Sequence, residues 1–285
     1  MRALACCIAL VFIASVAAAE ETPAAVPAGP ASAASAASAS EPQPDYHYVL
    51  GLQYQHQPQS PGAIQQHDSF TPVWALRWGR LRLSNGGGSS LMGFGTRVYG
   101  PGASAELLSG TAWHLGISLR FDGGRNSDAA DNTRGLPDVR RTMRGRVFAS
   151  YSLSPDLQLS ANLAQDLLGR GGGLVFGTGV DWRLAHDRVS EWTFGVGVRG
   201  GNSTYMQSYY GVTEAGSAAS GMTIYAPGAG FEGVHAGLYY TRALDRHWIA
   251  YGSFGASRLI DAAARSPLDA RPLAAGWSLR LAYRR

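Results

Sequence analysis

The chain has 285 residues, 45% hydrophobic, 15% charged and 10% aromatic, with 37 Gly, 13 Tyr, 7 Trp and a formal net charge of +4. Its Arg residues are scattered, never more than two together, so no basic run exists to track a phosphate backbone and nucleic-acid binding is excluded. The two cysteines, Cys6 and Cys7, sit at the very start, and once the leader described next is removed no thiol is left for a disulfide, a metal or a nucleophile.

Arg2 leads into an apolar run from Leu4 to Val16, followed by Ala17, Ala18, Ala19 and then Glu20. A charged start, a short apolar stretch and small residues before the cut are the pattern of a secretory signal peptide, so residues 1–19 are expected to be removed. A lipoprotein anchor needs its cysteine after the apolar stretch, whereas here the stretch follows it. Residues 20–45 are rich in Pro, Ala and Ser and hold almost nothing apolar to bury, which predicts a disordered tether. As a flexible coil of about 26 residues it spans roughly 28 Å r.m.s..

From residue 46 to 285 the pattern changes to a period of two. In 277–284 apolar residues take the odd positions and small or charged ones the even positions, and 113–121, 157–163 and 192–199 repeat the alternation. No later segment holds the roughly 18 consecutive apolar residues of a membrane helix, so an exported chain with such strands reads as a transmembrane antiparallel up-and-down β-barrel. About twelve strands are expected, at 46–55, 71–78, 80–84, 91–99, 111–121, 144–153, 157–165, 173–184, 192–200, 233–243, 248–259 and 273–284. Links at 78–80, 154–156, 186–191 and 244–247 are tight, and those at 56–70, 122–143, 202–232 and 260–272 are long. Short periplasmic turns, long extracellular loops and both termini on the periplasmic side follow from that alternation. One link, 100–110, is long where a tight one is due, which keeps ten strands as the alternative count.

Alternation assigns two faces. Tyr48, Leu50, Leu52, Trp74, Leu76, Trp113, Leu115, Ile117, Val147, Tyr151, Leu157, Leu159, Trp192, Phe194, Val196, Leu238, Trp277 and Leu279 form the lipid-facing set. Gln53, Arg77, Arg97, His114, Arg120, Arg146, Gln158, Asn162, Asp181, Arg183, Arg199, His235, Arg280 and Arg284 share the other face, a polar lumen. Trp74, Trp78, Trp113, Trp192, Trp248 and Trp277 are expected near strand ends, where an interfacial aromatic belt belongs. Among the lumen residues Arg77, Arg120, Arg146, Arg183, Arg199 and Arg280 admit two roles. They fill a narrow lumen by pairing with Asp166, Asp181 and Glu232, or they form a basic constriction favouring anions.

Other motifs carry less. Gly195, Gly197 and Gly200 match G-x-G-x-x-G by letter, but no helix follows and no acidic residue stands at the required distance, so they read as small residues on a strand's inner face. Residues 169–173 are a glycine-rich loop without the Lys-Ser or Lys-Thr that holds phosphates. His114 and His235, with Ser118, Ser150 and Ser160 on the same face, show no spacing that sets a base beside a nucleophile. The seven His never cluster with acids at ligand spacing. No catalytic residue, cofactor or metal is expected.

Tyr205-Met206-Gln207-Ser208-Tyr209-Tyr210-Gly211-Val212, then Ser220-Gly221 and the entry Ala226-Pro227-Gly228-Ala229-Gly230-Phe231, resembles a segment of the MipA/OmpV family of outer-membrane proteins, MltA-interacting protein and its relatives. His247-Trp248, Ser257-Arg258-Leu259, Asp261-Ala262-Ala263 and Ser266-Pro267 are similar to that family's penultimate strand and last loop. The resemblance is strong over 205–267. Two features depart from the family: the chain ends Tyr283-Arg284-Arg285 rather than on an aromatic residue, and 122–143 is rich in Arg and Asp. The resemblance implies a non-enzymatic barrel in the outer membrane of a Gram-negative bacterium, embedded in its lipid. In one member it implies a scaffold joining a lytic transglycosylase to a peptidoglycan synthase as the sacculus grows. A narrow porin lined by the six Arg is the rival reading. A third is an adhesin whose extracellular loop offers Tyr205, Met206, Tyr209 and Tyr210 as exposed side chains.

Overall fold

A strand whose neighbours alternate between two solvents needs its inward and outward residues to differ all along its length, and the computed structural model shows how this chain meets that demand. The structure describes residues 48–58, 62–85 and 102–285; the expected leader at 1–19, the tether at 20–45, the strand at 91–99 and Arg97 lie outside them. Twelve antiparallel strands close into one barrel: β1 (Tyr48–Pro58), β2 (Gln66–Trp78), β3 (Leu81–Ser84), β4 (Gly102–Ser109), β5 (Trp113–Asp122), β6 (Thr142–Ser154), β7 (Leu157–Asp166), β8 (Leu174–His186), β9 (Ser190–Gly201), β10 (Gly230–Ala243), β11 (Trp248–Leu259) and β12 (Leu273–Arg284). Each pairs with its neighbours in sequence, and β1 pairs with β12 from Val49↔Arg284 to His56↔Trp277, so the described ladder has no free edge.

The links after even-numbered strands are tight, at 79–80, 110–112, 155–156, 187–189 and 244–247, and they share one end of the barrel with the start of β1 and the end of β12. We call this the turn end. The longer links, including 123–141, 202–229 and 260–272, lie at the opposite loop end and carry the helices α1 (Ser203–Tyr210), α2 (Glu214–Ser220) and α3 (Asp261–Ala264). No helix among the described residues is long and apolar enough to cross a membrane.

One expected irregularity disappears. The segment 100–110 is not a long link: β4 occupies Gly102–Ser109 and pairs with β3 from Leu81↔Ala105 to Ser84↔Gly102. Its first half is built of small residues and its register with β5 shifts between Glu106 and Leu108, so the alternation that marks other strands is broken there. The count is twelve, not ten.

The outward face is apolar. Leu50 and Leu279 are 55% and 57% exposed, whereas their inward neighbours Val49 and Ser278 are 1% and 6% exposed. Each such leucine forgoes roughly 1.5–3 kcal/mol of burial in water, and a barrel that does so round its whole wall has lipid as its outer solvent. Aromatic pairs mark both ends: Trp113–Tyr151 and Trp192–Tyr240, with ring centroids 4.4 and 4.5 Å apart, at the turn end, and Tyr54–Trp277 at 5.3 Å toward the loop end. Trp74 departs from this belt, because β2 begins at Gln66 and carries Trp74 into the strand's interior.

The inner face is not uniformly polar. At the turn end Val49, Val73, Ala75, Ile249, Tyr251 and Ala282 form a buried apolar layer across β2, β1, β12 and β11. Gly51 lies within it, where an added Cβ would stand 2.6 Å from that of Ala282. The layer narrows the lumen just inside the tight turns.

Candidate functional site

The loop end is filled by a cap with its own core. Asn202 starts α1 by accepting backbone N–H bonds from Tyr205 and from Leu174, each 3.0 Å, which ties the helix to β8. The helix then buries Tyr205, Met206 and Tyr210 against Val175, Ala262 and Ala263. Beside this cluster, Leu136, Val212 and Leu268 form a second one drawn from three loops. Hydrogen bonds stitch these loops together. The Ser266 hydroxyl donates to the Tyr210 carbonyl at 2.6 Å, the Tyr225 hydroxyl to the Ala262 carbonyl at 2.7 Å, and Arg125 to the Tyr209 carbonyl at 2.8 Å.

This overturns the expectation of exposed aromatics. Tyr205, Met206 and Tyr210 are 2%, 0% and 3% exposed, and Tyr209 is half-buried. Tyr209 stacks on Tyr205 at 4.7 Å between centroids and its hydroxyl donates to Asp122 at 3.3 Å. The loop turns inward because the apolar faces of α1 and α3 meet only when the barrel brings 202–229 and 260–272 together.

Beneath α1 the strands supply charge. Glu232 of β10 accepts from the Tyr205 and Tyr210 hydroxyls at 2.9 and 2.8 Å and pairs with Arg199 of β9 at 2.9 Å. Burial holds both tyrosine hydroxyls well above their ordinary pKa, and the bonds to Glu232 act in the same direction. Arg144 of β6 pairs with Asp122 at 2.5 Å and donates to the carbonyls of Gly172 and Gly173. Asp166 of β7 accepts from Thr142 and from the backbone N–H groups of Leu168, Arg170 and Gly172.

The six Arg singled out by alternation stand at different depths of the inner face. Arg77 lies opposite Arg82 near the turn end. Arg280 lies over the Tyr251 ring at 4.4 Å and donates to Gln53 at 2.6 Å. Arg183 pairs with Glu191 at 3.2 Å and Asp156 at 3.7 Å. Arg120, Arg146 and Arg199 converge toward the cap: Ser118 faces Arg146 in the β5–β6 ladder, and Arg120 faces Arg144. Spacing alone missed Arg82, Arg144 and Glu106, although each is a charge on an inward position.

Four cavities of about 320 to 480 Å³ occupy the lumen and share walls. Arg199 lines three of them, His235 lines three, and Arg120 lines the two nearest the cap. Elsewhere, the structure brings His114 opposite Ser150 and within 3.0 Å of Glu106, a neighbourhood that spacing did not reveal. Ser150 accepts from Gln158 at 3.4 Å, and among the described residues no hydrogen bond joins it to His114. Among the described residues no group of three or more His, Cys, Asp or Glu is arranged to hold a metal ion.

The family described as MltA-interacting protein MipA matches residues 50–284. No curated protein matches the chain. Among solved structures the chain is similar to the KdgM porin at 8% identity, covering 82% of this chain and 98% of that one with a TM-score of 0.41. It is similar to the COG4313 outer membrane channel of Pseudomonas putida F1 at 11% identity, covering 84% and 95%, TM-score 0.41. It is also similar to OmpT of Vibrio cholerae at 10% identity, covering 85% and 97%, TM-score 0.37.

Proposed function

The chain belongs to the family of MltA-interacting protein MipA, and on that premise we propose that it is a non-enzymatic outer-membrane docking protein. Its partner is a periplasmic lytic transglycosylase, held together with a peptidoglycan synthase at the sacculus. The observation that carries this reading is a family match running from β1 to β12, over the whole barrel. The turn end faces the periplasm, since short turns and both ends of the barrel share that side. It offers a platform of five turns. Asp187, Arg188, Asp245 and Arg246 stand on two of these turns and supply polar contacts of both signs.

The test is coprecipitation of a purified lytic transglycosylase with the folded barrel. Binding that falls at least tenfold in an Arg188→Glu, Arg246→Glu double variant, and is untouched by substitutions in 123–141, supports docking at the turns. A barrel that captures no transglycosylase refutes it.

One observation favours a second reading, a narrow channel: the lumen cavities share Arg-lined walls. Single-channel recording separates the two. Steady conductance whose ion selectivity changes in an Arg120→Ser, Arg183→Ser variant supports the channel, and silence from a folded barrel removes it. Adhesion through Tyr205 and Tyr210 loses its support, because those rings are spent inside the cap.

A further inference from the structure

We infer that the chamber under the cap is a binding site for an oxyanion, the carboxylate or phosphate group of a small solute, gripped by Arg120. The chamber, about 320 Å³, is lined by Arg120, Arg144, Arg146 and Arg199, by the carboxylate of Asp122, and by Ser160 and Asn162. It shares Arg120 and Arg199 with the space of about 400 Å³ directly beneath α1. Two of these guanidinium groups are neutralised in place, Arg144 by Asp122 and Arg199 by Glu232, and Arg120 repels its neighbours unless further negative charge stands beside it.

The protein's own carboxylates here are fully engaged by groups other than Arg120. Asp122 is taken by Arg144, by the Tyr209 hydroxyl and by the Gly124 backbone N–H. Glu232 is taken by Arg199 and two tyrosines. Asp166 accepts four donors of its own. Among the described residues Arg120 has no carboxylate at ion-pair distance, and its Nε is buried without a hydrogen-bond partner, as is the Ser118 hydroxyl two residues before it. Other inward arginines have a partner for their charge: Arg183 has Glu191, Arg82 has Glu106, and Arg280 has Gln53 and the Tyr251 ring. Water satisfies a donor without neutralising it. A carboxylate or phosphate does both, because the guanidinium fork matches two of its oxygens at once. The polar Ser160 and Asn162 of β7, two strands from Arg120, suit the hydroxyl or amide groups of a small solute rather than a bare halide. The site is independent of the docking proposal, and either can fail alone.

The test is calorimetric titration of the full folded barrel in detergent with inorganic phosphate and, separately, with succinate. Saturable binding is expected, at least tenfold weaker in Arg120→Ser and unchanged in Arg134→Ser, an exposed loop control. Tighter phosphate binding assigns phosphorylated solutes and tighter succinate binding carboxylated ones; both support the site. Equal binding by the wild type and Arg120→Ser, or no saturable binding of either anion, overturns it. A second readout needs no variant: phosphate should slow phenylglyoxal modification of Arg120, followed by peptide mass spectrometry. Unchanged modification overturns the site.

Discussion

Glu232 is the residue on which the cap turns, since one side chain satisfies two buried hydroxyls and an arginine. Removing it strands donors rather than merely deleting bonds, at about 1–3 kcal/mol for each buried group left without a partner. Glu232→Ala should therefore loosen α1 while the strands remain paired, seen as new protease cleavage within 202–229 in a barrel that still migrates as folded on unheated gels. Glu232→Gln retains an acceptor oxygen and should show a smaller effect. On the turns, Asp187 accepts backbone N–H bonds from Val189 and Ser190, and Asp245 from Trp248 and His247. These bonds hold both carboxyls below their usual pKa. A depressed folded-state value means the contribution is whole above the unfolded value of about 3.9 and is lost as pH falls through the lower folded value. Protection of the Val189 and Trp248 amides against exchange, relative to an unstructured amide at the same pH, should accordingly hold above about pH 4 and fall below it. Protection that is unchanged from pH 6 to pH 2 would refute the assignment.

At the scale of one strand, β6 separates its two solvents residue by residue. Val147 is 52% exposed at its middle, between Arg146 and the buried Phe148. Arginine at 147 points into lipid and should cost about 2–4 kcal/mol near the bilayer midplane. The same change at Ser152, on the inner face, should cost under about 1 kcal/mol. Urea unfolding in phospholipid vesicles measures both, and equal costs would mean the faces are misassigned. The tight turn-end links and the capped loop end then follow from different needs. Turns need only reverse the chain, whereas the loops between 202 and 272 fold because α1 and α3 bury Met206 and Ala263 completely.

For the molecule as a whole, closure is the stabilising event. Pairing of β1 with β12 joins residues more than two hundred positions apart and removes both edges. Deleting residues 273–284 should leave β1 and β11 each with one open edge and yield aggregates that show no folded migration on unheated gels. Deleting 203–220 should spare the barrel, because the cap lies outside the ladder. If the second truncation also abolishes folded migration, the cap is part of the barrel's stability and not an addition to it.

Strand identity and facing were legible in the chain because a barrel wall between lipid and lumen writes a period of two into every strand, and β11 and β12 were legible to the residue. Strand β4 was not, since Gly102, Ala103, Ser104 and Ala105 are too small to mark a face and the bulge at Leu107 breaks the period. The inward position of Arg120 and Arg199 was readable from alternation, but their different partners were not. Alternation reports which face a residue occupies, not its depth or who stands across the lumen. Only closure of the barrel brought Val49 against Ile249, laid Tyr205 and Tyr210 on Glu232, and left Arg120 beside carboxylates already bound to others. The lipid boundary acts on each strand separately and so leaves its mark in local sequence. Lumen and cap contacts join residues far apart in the chain, and those exist only once the ladder has closed.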